Sequence, residues 1–172
     1  PLPPVMTGSH VDTVRTGGRY DGNLGVLAGL EVVATLNAAG IVTRRPLVVA
    51  FFTNEEGARF TPDMLGSLVY VGGLSLDDAL AAVAIDGKVF GDELRRIGYA
   101  GAAPLPAHRP HAFVELHIEQ GPILEDSGLA LGIVTGIRGN FRHRRVRCVG
   151  TTGHSGAVPK SPAAPNFLAP AA

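Results

Sequence analysis

The sequence predicts an α/β fold, a mixed, mostly parallel sheet flanked by helices. Three stretches predict it. Residues 4–10, PVMTGSH, form a short β-like run that ends in a histidine. Residues 23–39 are a helix-length apolar stretch closed by Gly40, and glycine readily takes the left-handed conformation that ends a helix. Residues 46–53, PLVVAFFT, are continuously apolar and rich in β-branched and aromatic side chains. That is the pattern of a central strand buried on both faces of a parallel sheet. Strand, helix and strand make one βαβ unit. The polar clusters ending both strands then fall at the C-terminal sheet edge, where open α/β sheets place their ligands.

The remaining elements are shorter. Asp21 stands where the N-cap of the first helix is expected. Residues 76–83 and 92–97 read as short helices, and residues 100–110 as an Ala/Pro/Gly loop. Residues 112–118, AFVELHI, read as a further strand, residues 123–126 as a short helix, and residues 131–137 as another strand. Arg138-Gly139-Asn140 looks like a domain junction, followed by an Arg-rich β-like run over 141–149. Residues 159–172 contain four prolines, too many for a regular helix, so a disordered tail is expected there.

Composition narrows the function. At 172 residues the chain can bury one sizeable core, or one domain and the start of another. It is 45% hydrophobic and 17% charged, a globular composition. Lys+Arg and Asp+Glu are both 15, so no global field attracts nucleic acid or an anionic membrane. The arginines at 142, 144, 145 and 147 read as a solvated strand face. The apolar run 24–41 is interrupted by Glu31, Asn37 and glycines, so it is read as a buried helix, not a membrane span. Cys148 is the single cysteine. An internal disulfide and a thiolate zinc cluster are therefore excluded, and a reducing, cytoplasmic setting is expected. The N-terminus, PLPP, shows neither a signal sequence nor an initiator methionine, so the chain is expected to begin within a longer protein.

Three predicted strands each end in metal-ligand residue types: His10 with Asp12 and Asp21, Glu55 with Glu56, and His117 with Glu119. Singly, each has a plain reading as a cap, a turn residue or a surface group. Together, at one edge of a parallel sheet, they can converge. Imidazole and carboxylate without thiolate suit zinc, manganese, cobalt or nickel. A carboxylate such as Asp21 has two oxygens and can bridge two cations. Adjacent glutamates can divide the work between ligand and base. The signatures H-E-x-x-H, G-x-x-x-x-G-K-[ST] and G-x-S-x-G are all missing from the sequence. His108, His111 and His143 lack supporting neighbours and read as surface histidines.

The motifs GSHVDTV, GGRYDGNLGV, TNEEGARF and FVELHIEQGPILE, in this order and spacing, resemble the hydantoinase/carbamoylase amidases. That group comprises N-carbamoyl-L-amino acid hydrolases, β-ureidopropionases and allantoate amidohydrolases, within the dinuclear zinc exopeptidase superfamily. LHIEQGP separates this branch from its peptidase cousins, which typically place a carboxylate where His117 stands.

The resemblance implies a dinuclear site. His10 and His117 would bind one metal, Asp21 would bridge both, and Glu56 would bind the second. Glu55 would be the general base. Asp12 would hold the far nitrogen of His10, and Gln120 would line the substrate pocket. His154, in GHSG, would polarise the scissile carbonyl, often across a dimer interface. A non-proline cis peptide after Asp21 is also implied. Glu119 is expected to be structural.

The expected domains are a catalytic metal-binding domain over 1–138, incomplete; the start of a smaller α+β lid or dimerisation domain over 139–160; and a disordered tail over 161–172. The resemblance implies two divalent metal ions per full-length subunit, zinc or else Mn²⁺, Co²⁺ or Ni²⁺. It further implies a homodimer, a small-molecule ureido substrate, and neither nucleic acid nor membrane as partner. The expected reaction is cleavage of an N-carbamoyl-L-amino acid, with allantoate as the rival substrate. The family pattern extends beyond this chain to a last histidine ligand and to carboxylate-gripping residues. This chain by itself is therefore expected to be an inactive fragment that at most binds metal or a partner subunit.

Overall fold

A computed structural model describes residues 2–103, 105 and 109–137. The chain divides into two units, Pro1–Leu129 and Ala130–Ala172. All the elements named below lie in the first.

Among the described residues the sheet has three parallel strands in the order β2-β1-β3. They are β1 (Val5–His10), β2 (Leu47–Phe52) and β3 (Ala112–Val114), and helix α1 (Asn23–Ala38) connects the first two. The α/β class and the first βαβ unit stand as the sequence predicts. The strand ranking does not. β1 occupies the centre, pairing with β2 from Val5↔Leu47 to His10↔Phe52 and with β3 from Val5↔Ala112 to Thr7↔Val114. β2 has one strand neighbour among the described residues and is only partly buried, with Phe51 54% exposed. Its apolar run reflects two packing surfaces rather than two strand neighbours. Val49 meets α1, while Phe52 makes edge contacts with Tyr70 and Phe113, ring centroids 5.9 and 6.2 Å away.

Helix α1 lies close on the sheet because its buried positions are small. Gly25, Val26 and Gly29 form its buried stripe. A Cβ on Gly29 would come within 2.9 Å of the Thr7 side chain and 3.1 Å of Val49. Each glycine inside a helix costs about 0.5–1 kcal/mol relative to alanine; here the close approach of helix to sheet needs it. The helix N-cap is Gly22, not the expected Asp21, and no side chain caps it. Asp21 instead turns its carboxylate toward His10 and His117.

Between β2 and β3 lie α2 (Leu65–Tyr70), α3 (Leu76–Leu80) and α4 (Phe90–Arg96). α2 falls in a region where the sequence suggests no element, and α3 and α4 stand close to their predicted ranges. Phe60, Leu65, Val69, Ala79, Ala84 and Phe90 build a second apolar cluster there, with Phe60 and Phe90 edge to face at 5.0 Å. This cluster fixes the loop that follows β2. Asn54, buried and at φ 52, donates from Nδ2 to the carbonyls of Phe60 (3.0 Å) and Pro62 (3.1 Å). It also accepts from the Phe60 amide at 3.3 Å.

α5 (Ile123–Asp126) matches its predicted range. Glu119 accepts from the amides of Ile123 and Leu124 at 3.2 and 2.9 Å, a structural task. β3 ends at Val114, well short of the predicted 112–118, because beyond Thr7↔Val114 the chain leaves the β1 ladder. The strand expected over 131–137 does not form. That stretch is irregular, with Ile133 93% and Ile137 87% exposed, and an extended segment without a ladder partner leaves its backbone groups unpaired. The peptide after Asp21 is trans; among the described residues Thr61–Pro62 is the cis bond. The turn after Asp21 is taken by Gly22 at φ 69. The expected lid domain, the tail and His154 lie outside the described residues.

Candidate metal centre

His10 is the last residue of β1 and is 2% exposed. Gly22 lies over its imidazole: a Cβ there would come 2.5 Å from the ring. The His10 Nδ1 faces the backbone carbonyl of Asp12 at 2.9 Å, which leaves Nε2 turned toward the carboxylates. The carboxylate of Asp12 is farther, 3.7 Å from Nδ1. It accepts instead from the amides of Glu55 and Glu56, both at 3.1 Å. Asp12 thus orients His10 through its main chain and the Glu55-Glu56 turn through its side chain.

Hydrogen bonds to a charged group contribute about 1.5–3 kcal/mol each. Asp12→Ala is therefore expected to destabilise the chain by about 2–4 kcal/mol, two such bonds being partly replaced by water. It should also speed hydrogen exchange at the amides of Glu55 and Glu56. Exchange at those two amides no faster than in the parent chain would count against this.

Asp21 is buried and central. Its Oδ1 is 3.8 Å from His10 Nε2 and 3.2 Å from His117 Nε2. Its Oδ2 accepts from Gln120 Nε2 at 2.9 Å. Gln120, placed by sequence in a substrate pocket, is thus turned toward Asp21, from a backbone at φ 57. His117 stands in irregular chain past β3, its Nδ1 2.8 Å from the Ile118 carbonyl. Its ring centroid is 6.0 Å from that of His10.

Two groups of potential ligand atoms result, each within 4.8 Å: His10, Asp21 and His117; and His10, Glu55 and Glu56. The first is the trio picked out by sequence. The second joins Glu56 with His10 and Glu55, where the sequence reading pairs Glu56 with Asp21. Glu55 Oε2 is 3.5 Å from His10 Nε2. Loss of hydration pushes the Glu55 carboxyl above its usual range; His10 opposes this, while the charges of Glu56, Asp12 and Glu115 add to it.

The donor set fits a divalent cation. Two imidazoles and several carboxylates, without thiolate, match borderline metals such as zinc. The Glu56 Oε1 atom is buried and has no hydrogen-bond partner among the described residues. An unsatisfied buried oxygen costs about 1–3 kcal/mol or more when charged, and a cation in the cluster would satisfy it.

The residue that sequence reading missed is Asn54, whose side chain holds the loop behind Glu55. Its signal was an asparagine at a strand end beside two glutamates, a residue type that tolerates positive φ. A cavity of about 590 Å³ lies elsewhere, lined by Met6, Phe52, Tyr70, Arg109 and Phe113 among others. It contains none of the candidate ligands, so the chemistry is assigned to the cluster and not to the cavity.

Residues 6–169 match the family model described as peptidase family M20/M25/M40. The chain belongs to this family. Within it, the chain is 49% identical over 156 residues to an N-carbamoyl-L-amino-acid amidohydrolase of Rhizobium meliloti, covering 91% of this chain and 37% of that protein. It is 41% identical over 166 residues to a ureidoglycolate hydrolase of Arabidopsis thaliana, covering 91% of this chain and 35% of that one. Among solved structures it resembles a hydantoinase/carbamoylase family amidase from Burkholderia ambifaria. The TM-score is 0.71 at 55% identity, over 74% of this chain and 31% of that chain. The chain thus spans little more than a third of the length of the curated relatives it matches. Among the described residues no helix is long and apolar enough to cross a membrane.

Proposed function

We propose that the protein of which this chain forms part is a metal-dependent amidohydrolase that cleaves the ureido C–N bond of N-carbamoyl-L-amino acids. The observation that carries this reading is the convergence of His10, Asp21 and His117, with ligand atoms within 4.8 Å of one another. The relatives supply the substrate class, through the Rhizobium meliloti protein named for that activity.

His10, Asp21 and His117 would hold one divalent ion, and Glu56 would serve a second, with Asp21 available to both as the family resemblance implies. Zinc is the first choice, with Mn²⁺, Co²⁺ or Ni²⁺ as alternatives. When bound, divalent metal would supply Lewis acidity, lowering the pKa of a water molecule and polarising the ureido carbonyl. Glu55, beside His10 at 3.5 Å, takes the proton of the attacking water and returns it to the leaving nitrogen. Asp12 steadies His10 and the glutamate turn. Gln120 holds Asp21 and borders the substrate. The family resemblance assigns the polarising of the carbonyl to His154, which lies outside the described residues, and a homodimer to the whole protein. The products are carbon dioxide, ammonia and the free amino acid, formed in the cytoplasm.

Ureidoglycolate and allantoate are the rival substrates, because both present a related ureido group and one relative is named a ureidoglycolate hydrolase. The test is turnover by the whole protein, loaded with Zn²⁺ or Mn²⁺, on N-carbamoyl-L-amino acids, allantoate and ureidoglycolate. The expected result is highest kcat/KM on the N-carbamoyl compounds and loss of turnover in Glu55→Gln. Preference for either rival would reassign the substrate. No turnover on any ureido compound would overturn the amidohydrolase reading.

A further inference from the structure

We infer that Ser9 and Glu115 form a positioning pair that sets His117 in the metal-ligand cluster. The inference rests on the metal-site reading above and concerns residues outside the ligand set.

The difficulty is geometric. His10 is held by β1, and Asp21 sits immediately before α1. His117 has no such support, because the β1–β3 ladder stops at Thr7↔Val114, three residues before it. Its nitrogen nevertheless lies 3.2 Å from Asp21 Oδ1. Something other than a strand ladder must hold residues 115–117.

The Ser9 hydroxyl donates to the Glu115 carboxylate. Ser9 is 2% exposed and directly precedes His10. Glu115 lies on the exposed side and directly precedes Leu116-His117. A hydroxyl-to-carboxylate bond is charge-assisted and stronger than a neutral one. The next residue is fitted against α1. A Cβ on Gly25 would fall 2.4 Å from the Leu116 carbonyl oxygen and 2.9 Å from the Ser9 Cβ. Bare backbone at Gly25 therefore admits the Leu116 carbonyl beside Ser9. Glu115, Leu116 and His117 in succession meet Ser9, Gly25 and Asp21. The same serine abuts one imidazole along the chain and fixes the approach of the other through Glu115.

Residues that orient a metal ligand typically change metal affinity 10–100-fold when removed. Glu115 also carries a charge that bears on Glu55, so its hydrogen-bonding and electrostatic roles must be separated. The experiment is Co²⁺ titration of the full 172-residue chain, followed by visible absorption, with urea unfolding of each metal-free variant as the folding control. Ser9→Ala and Glu115→Ala are each expected to weaken Co²⁺ binding about 10-fold or more and to change the cobalt spectrum as an imidazole is lost. The double variant should be no worse than either single one. Glu115→Gln keeps an oxygen that accepts from Ser9 through a weaker, neutral bond, so it should bind Co²⁺ clearly more tightly than Glu115→Ala.

A parent chain that takes up no Co²⁺ would overturn the metal site and this inference with it. Parent-like affinity and spectrum in both alanine variants would overturn the positioning pair alone. Glu115→Gln as weak as Glu115→Ala would do the same, assigning the effect to charge. Should Ser9→Ala fail to fold, Glu115→Ala against Glu115→Gln decides, since that carboxylate is on the exposed side.

Discussion

Replacing His10 with alanine is expected to abolish tight metal binding by this chain. His10 belongs to both ligand groups, the one with Asp21 and His117 and the one with Glu55 and Glu56. No other residue is shared by the two. Loss of a group that merely orients a ligand costs about 10–100-fold in affinity, and loss of the ligand itself should exceed that range. The parent chain is expected to retain at most one ion after dialysis, because both groups draw on the same His10 imidazole. His10→Ala should retain none. Elemental analysis after exhaustive dialysis gives the answer. One equivalent of Zn²⁺ retained by the variant would show that the ion sits elsewhere, and two retained by the parent would refute the single-site expectation.

Gly22→Ala is expected to damage fold and site together. Gly22 has φ 69 and ψ −47, a sparsely populated positive-φ conformation that costs an L-residue about 1–3 kcal/mol. The added methyl would also lie 2.5 Å from ring atoms of His10, a side chain only 2% exposed. Overpacking of this kind costs about 1–3 kcal/mol. Against this, alanine gains up to about 1 kcal/mol over glycine inside a helix, but Gly22 is the cap and lies outside α1. The penalties therefore dominate, at about 2–6 kcal/mol, a large part of the 5–15 kcal/mol typical of a domain. Urea unfolding should show a lower midpoint, and titration with Zn²⁺ a weaker site, since the imidazole must move. An unchanged midpoint would mean that the His10 ring yields freely.

Much of the fold was legible because β1, α1 and β2 declare themselves locally. The runs are apolar and of element length, and glycine and charged clusters punctuate them. The candidate ligands were legible as residue types at strand ends, and the motif LHIEQGP added His117. What sequence could not rank was strand position. An apolar run such as LVVAFF looks the same whether its faces meet strands, helices or aromatic rings, and here Val49 and Phe52 serve the latter two. Asp21 looked like a cap because carboxylates favour that position. It was claimed instead by two histidines and Gln120. α2 was missed because it is only six residues long and follows Met64 at φ 53, with no capping side chain to announce it. The pattern over 131–137 was strand-like, but a strand exists only through its neighbour.

The separations along the chain among the site residues bear on the order of folding. Glu55 and Glu56 reach the Asp12 carboxylate across 43 and 44 positions, through the βαβ unit. Ser9 meets Glu115 across 106 positions, and Gln120 meets Asp21 across 99. Closing the longer loop costs more chain entropy, and contacts distant in sequence form slowly. During synthesis the first histidine and both glutamates leave the ribosome well before the second histidine. A nascent chain can therefore assemble the His10–Glu55–Glu56 side early, while the His117 side waits for the third strand to dock. Metal capture by the proposed His10–Asp21–His117 site is thus expected late in folding, and metal-uptake kinetics during refolding should follow, not lead, the formation of the sheet.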